Sequence, residues 1–185
     1  MYWYKKQSHM NILVISLVAA SYFTACKPDI KETGGALRYF DIKGFYTIDT
    51  AVLRKLNKPV FKTVTHNGVS ESKTVPIDNW GQELNFFISS DINKPAWKDS
   101  YDITANGEFL IYRAKYPELK MREMIISKNK QKVNWILIFN NSKNILYSTS
   151  EKLSYFPDSL YLIEKVQRVR MIGTNYYKVK GIINK

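Results

Sequence analysis

The chain has 185 residues and a formal charge of +12, from 28 lysines and arginines against 16 acids. Its single cysteine excludes an intramolecular disulfide, and beyond residue 25 the one histidine, His66, and the one cysteine, Cys26, are too few for a Cys/His zinc cluster. Length and charge together fit one basic globular domain with a substantial core.

Lys5 and Lys6 precede an apolar run over residues 12–23, and Thr24-Ala25 places small residues just before Cys26. This three-part layout predicts a secretory signal. The run's 12 residues reach only ~18 Å as a helix, well short of a ~30 Å hydrocarbon core, so a permanent span is not expected. Phe23-Thr24-Ala25-Cys26 resembles the lipobox of bacterial lipoproteins, departing from its usual leucine at Phe23. The resemblance implies lipidation at Cys26: a diacylglyceryl thioether, cleavage before it, and attachment to the membrane through the acyl chains. Lys27, standing where some bacteria place an acidic retention signal, further implies the outer membrane. Removing residues 1–25 takes Lys5, Lys6 and no acid, leaving 160 of the 185 residues and lowering the charge from +12 to +10. A lysine-rich charge spread along the chain favours anionic lipid, acidic polysaccharide or an envelope protein as partner. Export and the lack of any nucleic-acid motif argue against nucleic acid.

Residues 26–36, with Pro28 and Gly34-Gly35, read as a polar tether. Residues 37–185 read as a single α+β domain. Asp41 is an N-cap candidate for a helix reaching about Asn57, with Pro59 enforcing the stop. Ile42, Phe45, Ile48, Val52 and Leu56 recur at spacings of three and four, which predicts one core-facing stripe. Residues 60–75 form a β-hairpin about Asn67-Gly68, and Asn106-Gly107 marks a second. Between them, Asn79 with Gln82 resembles a capping box opening a helix to about Asp91, with Trp80, Leu84, Phe87 and Ile88 as its apolar face. Strands follow over residues 120–128, 132–140, 144–150, 160–172 and 176–183, with Gly173-Thr174-Asn175 as the last turn. Val133, Trp135, Leu137 and Phe139 alternate onto one face, as do Tyr177, Val179 and Ile183. Short links imply antiparallel neighbours. The fold expected is a large curved antiparallel β-sheet with about two helices packed on one face and the other face meeting water.

His66 at a hairpin tip reads as a solvated turn residue. No Gly-x-Ser-x-Gly turn or phosphate-cradling glycine loop occurs, so no catalytic residue and no cofactor or metal is expected. Asp91, Asp99 and Asp102 surround Trp97 and leave two readings open: a two-carboxylate hydrolase site, or a loop that Asp91 and Asp99 orient while Trp97 plugs the core. Arg168, Arg170, Lys178 and Lys180 gather on one face if the last two strands turn at 173–175, and an anion would then offset their repulsion. The thirteen tyrosines fit half-buried sheet positions as well as sugar stacking. Asp49-Thr50-Ala51 and Asp158-Ser159-Leu160 resemble the short O-glycosylation motif of exported Bacteroidetes proteins, with Thr50 and Ser159 as acceptors.

Residues 39–45 (YFDIKGF), 90–101 (SDINKPAWKDSY) and 155–161 (YFPDSLY) are similar to stretches of small lipoproteins of the Bacteroidetes group. That resemblance implies location and architecture, and no particular activity. The functional expectation is a lipid-anchored envelope protein that binds a partner without turnover. The alternatives are a carboxylate-dependent envelope hydrolase, or a carrier or receptor for lipid or lipoprotein.

Overall fold

The computed structural model describes residues 37–130 and 132–183; Cys26, the signal and the tether lie outside them. Nine strands form one open antiparallel sheet: β1 Val60–His66, β2 Val69–Val75, β3 Tyr101–Asn106, β4 Phe109–Ala114, β5 Met121–Asn129, β6 Lys132–Lys143, β7 Tyr147–Phe156, β8 Leu160–Val169 and β9 Gly173–Ile183. Their order is β2-β1-β9-β8-β7-β6-β5-β4-β3. From β3 to β9 each strand pairs with its successor, as short connections require. The exception is β1, which carries the first hairpin onto the far side of β9, with Val60 opposite Ile183 and His66 opposite Tyr177.

Helix α1 (Ile42–Leu56) starts where expected, because Asp41 accepts the Gly44 N–H at 2.8 Å. It stops at Asn57, which adopts the left-handed conformation at φ 45°. Its buried stripe is Ile42, Tyr46, Thr50 and Leu53. This corrects the expected stripe: Ile48, Val52 and Leu56 are 71%, 46% and 50% exposed. Tyrosine and threonine at the core positions disguised the inward face. The second helix is two single turns, α2 Trp80–Glu83 and α3 Asn85–Ile88, with the chain leaving the helical path at Leu84 (φ −94°, ψ 13°). Asn79 caps α2 by accepting the Gln82 N–H at 3.0 Å. Trp80, Leu84 and Phe87 are buried. A 3-10 turn, Pro95–Trp97, precedes β3.

The helices cover the sheet face that carries Val60, Tyr112, Met124, Ile126, Ile136, Ile138, Leu153, Tyr155, Tyr161 and Ile163. Edge-on aromatic pairs join the layers: Tyr155 with Tyr46 (5.1 Å) and Phe87 (5.6 Å), and Tyr39 with Tyr101 and Tyr112 (both 5.6 Å). Such pairs contribute ~0.5–1.5 kcal/mol each beyond the area they bury. Glu83 joins α2 to two strands, pairing with Lys62 Nζ at 2.7 Å and accepting from the Tyr161 hydroxyl. The Tyr161 ring lies flat against β9 because Gly181 has no side chain; a Cβ there would fall 2.1 Å from the ring.

In β6 the alternation breaks. The β5–β6 register shifts between Ser127 and Lys128, so Asn134 is an extra residue. Val133 therefore faces the core together with Ile136 and Ile138, whereas Trp135, Leu137 and Phe139 fall on the opposite face. The face expected to meet water is thus partly apolar across β4 to β6.

Two turns also differ from expectation. Asn67-Gly68 (φ 48° and 88°) is the type I′ turn that the sequence predicts. At the next hairpin Asn106 pairs with Phe109, and the loop is Gly107-Glu108 with positive φ at Gly107, the II′ pattern. The β8–β9 turn lies at Arg170–Ile172, with Met171 at φ 71°, and residues 173–175 already belong to β9.

Candidate functional site

Along the flank of α1 beside its buried stripe, Phe45, Ile48, Asp49 and Val52 share one side, since 45, 48 and 52 and also 45, 49 and 52 are three or four residues apart. They form one wall of a cleft of about 350 Å³, closed by Lys132 and Val133 at the start of β6 and by Pro157 and Asp158 in the β7–β8 turn. Each opposing segment is positioned by local backbone: the bulge turns Val133 inward, and Asp158 holds the turn at φ 59°. Three of the five residues in the periodic stripe read from the sequence, Phe45, Ile48 and Val52, line the cleft.

Asp49 links the cleft to the core. The Tyr155 hydroxyl, buried beneath α1, donates to Asp49 Oδ2. Burial raises the Asp49 carboxyl above its ordinary value of 3.8, the Tyr155 hydrogen bond opposes this, and the charge of Asp158 adds to it. Tyr155 is pushed far upward by burial and then by Asp49, so it stays a donor. Tyr46, packed on the Tyr155 ring, is also raised by burial, and its hydroxyl has no hydrogen-bond partner among the described residues. The cleft thus offers apolar walls, a hydrogen-bonding carboxyl held toward its neutral form, a second carboxylate, and one exposed lysine.

The acidic region singled out in the sequence does not converge. Asp91 is buried, pairs with Lys43 at 3.1 Å and accepts the Asn93 N–H. Asp99 and Asp102 are 72% and 70% exposed and pair with Arg38 and Lys115 respectively. Trp97 packs against Tyr101 under Lys94, and its carbonyl accepts from the Tyr39 hydroxyl. Asn93 clasps the chain before α1, accepting the Tyr39 N–H and donating to the Phe40 carbonyl. The segment from Asp91 to Asp99 orients a loop and plugs the core over β3 and β4.

The basic quartet is dispersed because the turn lies at 170–172. Arg168 faces Thr174, Lys178 faces Glu164 and pairs with it at 3.3 Å, and Lys180 faces Leu162. Arg168 and Lys180 stand about 20 Å apart along the strands, and Arg170 lies in the turn itself. Thr50 is buried and donates its hydroxyl to the Tyr46 carbonyl at 2.6 Å, which leaves no room for a sugar. Ser159 is exposed beside the cleft. His66 is exposed and stacks on Tyr177 at 4.6 Å.

A second buried polar group was not foreseen. Glu151 is 6% exposed and lies between Lys120 (3.6 Å), Lys165 (3.8 Å) and Asn140 (3.3 Å), while Asn140 also donates to Ser90 at 2.9 Å. These contacts tie the segment after α3 to β6 and β7.

Comparison with protein-family models, with curated proteins and with solved structures finds no match.

Proposed function

We propose that the chain is a lipid-anchored cell-envelope protein that binds a small amphiphile, an apolar chain with a neutral or cationic hydrogen-bonding head, in the cleft beside α1. The observation that carries the ligand class is the wall of Phe45, Ile48, Val52, Val133 and Pro157 ending at Asp49 and Asp158. The volume is at the small end of ligand sites, and two carboxylates against Lys132 disfavour an anionic head. The anchor rests on Cys26 and the residues before it.

Titration with a fatty alcohol, a fatty amine and a fatty acid of equal chain length tests the ligand. Saturable binding of the alcohol or amine, weakened at least tenfold by Val52→Asp, supports the reading. No saturable binding by either, or binding indifferent to that change at the exposed wall, removes it. Labelling of cells with an alkyne fatty acid tests the anchor, since Cys26→Ala must abolish incorporation.

The raised carboxyl of Asp49 beside Asp158 favours one second reading, acid–base hydrolysis in the same cleft. It requires turnover of an envelope substrate that disappears in both Asp49→Asn and Asp158→Asn.

A further inference from the structure

Opposite the cleft, the sheet ends in two neighbouring turns that each expose a pair of large apolar side chains. The β6–β7 turn presents Ile145 and Leu146, which are 84% and 67% exposed, and the β8–β9 turn presents Met171 and Ile172, at 99% and 78%. These are built turns. Asn144 Oδ1 accepts the N–H groups of both Leu146 and Tyr147 at 2.8 Å. The Arg170 N–H donates to the Leu146 carbonyl at 2.8 Å, which locks one tip to the other.

The charge around the tips has one sign. Lys143, Arg168 and Arg170 are exposed, and residues 141–150 and 165–175 contain no acid. Among the described residues none of these three holds an ion pair, whereas Arg38, Arg113, Lys115 and Lys178 all do. The same end of the sheet receives the first described residues, since Arg38 pairs with Asp99 just before β3 begins.

We propose that the paired tips are a membrane-docking site, with Ile145, Leu146, Met171 and Ile172 entering the headgroup–acyl boundary of an anionic phospholipid bilayer while Lys143, Arg168 and Arg170 bind its phosphates. Four aliphatic side chains on convex turns offer far less than the ~800 Å² per partner of a stable protein interface. Shallow apolar insertion beside unpaired cations is the chemistry of an interfacial membrane contact. The contact stands on observations separate from the cleft, and it points the cleft away from the bilayer.

The test uses full-length protein carrying Cys26→Ala, so that no acyl chain contributes, with one new cysteine bearing an environment-sensitive fluorophore. Labels at Met171→Cys and, as the opposite-end control, Ser159→Cys are compared on vesicles of phosphatidylglycerol and of phosphatidylcholine. The expected result is a blue shift and quenching by acyl-brominated lipid at position 171, on phosphatidylglycerol only, with position 159 remaining aqueous. Changing Arg168, Arg170 and Lys143 singly to Gln should weaken the response about fivefold each, and Leu146→Asp should abolish it. Val52→Asp must leave it unchanged, which separates this site from the cleft. An aqueous label at 171 on sedimented vesicles, equal shifts at both positions, or a concentration-dependent shift without vesicles (a second copy of the chain on the tips) overturns the proposal.

Discussion

At one end of the sheet Ile48, Val52 and Val133 line a concavity that closes on two carboxylates; at the other, Ile145, Leu146, Met171 and Ile172 stand on convex turns among three cations that hold no ion pair among the described residues. Both surfaces are apolar, but the cleft borders the core, which Val133 joins, whereas the tips stand apart from it. The core runs between them through Ile42, Tyr46, Leu53, Tyr155 and Tyr161, all nearly inaccessible. The difference in shape and charge assigns different partners to the two ends, a small amphiphile and an anionic surface. It also yields a test: substitutions at either end should alter binding with little effect on folding, while those between them should do the reverse.

The sharpest version of that test sits on α1, where two adjacent residues fall on opposite sides of the boundary. Leu53→Ala empties a site that is 1% exposed and should cost ~2–5 kcal/mol. Val52→Ala, on the cleft wall, should stay within ~0.5 kcal/mol of the parent. Urea denaturation of the two variants measures the gap directly. Equal losses would mean that the exposed stripe belongs to the core after all.

The next effect tests the middle of the sheet, which both ends share. In Gly181→Ala the new methyl meets the Tyr161 ring at 2.1 Å. That ring is buried and tied to Glu83, so it cannot swing aside freely. The expected loss is ~1–3 kcal/mol, with ligand and vesicle binding both retained below the unfolding midpoint. Unchanged stability would show that Tyr161 yields without cost.

That same helix shows why the architecture was legible while the site was not. Asp41, Asn57 and Pro59 mark the ends of α1, and Asn67-Gly68 fixes the first hairpin, because capping and turn chemistry act over three or four residues. The stripe Phe45-Ile48-Val52 was equally visible, but periodicity reports that a face is apolar without reporting what covers it. Tyr46 and Thr50, with polar tips, occupy the true core side. The pairing of β1 with β9 has no local signal, since it joins residues more than a hundred positions apart. The last turn defied the expectation because the chain reverses at Arg170–Ile172, with Met171 at positive φ, and Gly173, also at positive φ, already pairs with Val169 as the first residue of β9; this shift dispersed the basic quartet while exposing the tips. The cleft required segments near positions 50, 132 and 158 to meet, and only the sheet order brings them together.

A cap should be the third largest effect. Asp41→Ala removes the acceptor for the Gly44 N–H and should cost ~1 kcal/mol, which thermal unfolding can resolve. Because α1 supplies one wall of the cleft, amphiphile affinity should fall with it, while the vesicle response at position 171 should not. Loss of the vesicle response in this variant would show that the two ends are coupled.

The smallest effect, and the most specific to the cleft, is the pH dependence of Asp49. Its carboxyl is raised chiefly by burial, so the folded chain binds that proton more tightly than the unfolded chain does. The resulting stability is complete below the ordinary value of 3.8 and is lost as pH rises through the folded-state value, so ionised Asp49 is a cost at neutral pH. Asp49→Asn keeps a carbonyl oxygen for the Tyr155 hydroxyl and removes the charge. It should therefore be more stable than the parent at pH 7, with the gain shrinking to nothing below about pH 4. Asp158→Asn should move in the same direction by less, since its charge is a lesser cause of the shift. Urea midpoints of the three proteins across that range decide the matter: a gain independent of pH would place Asp49 in water and detach the carboxyl from the cleft's chemistry.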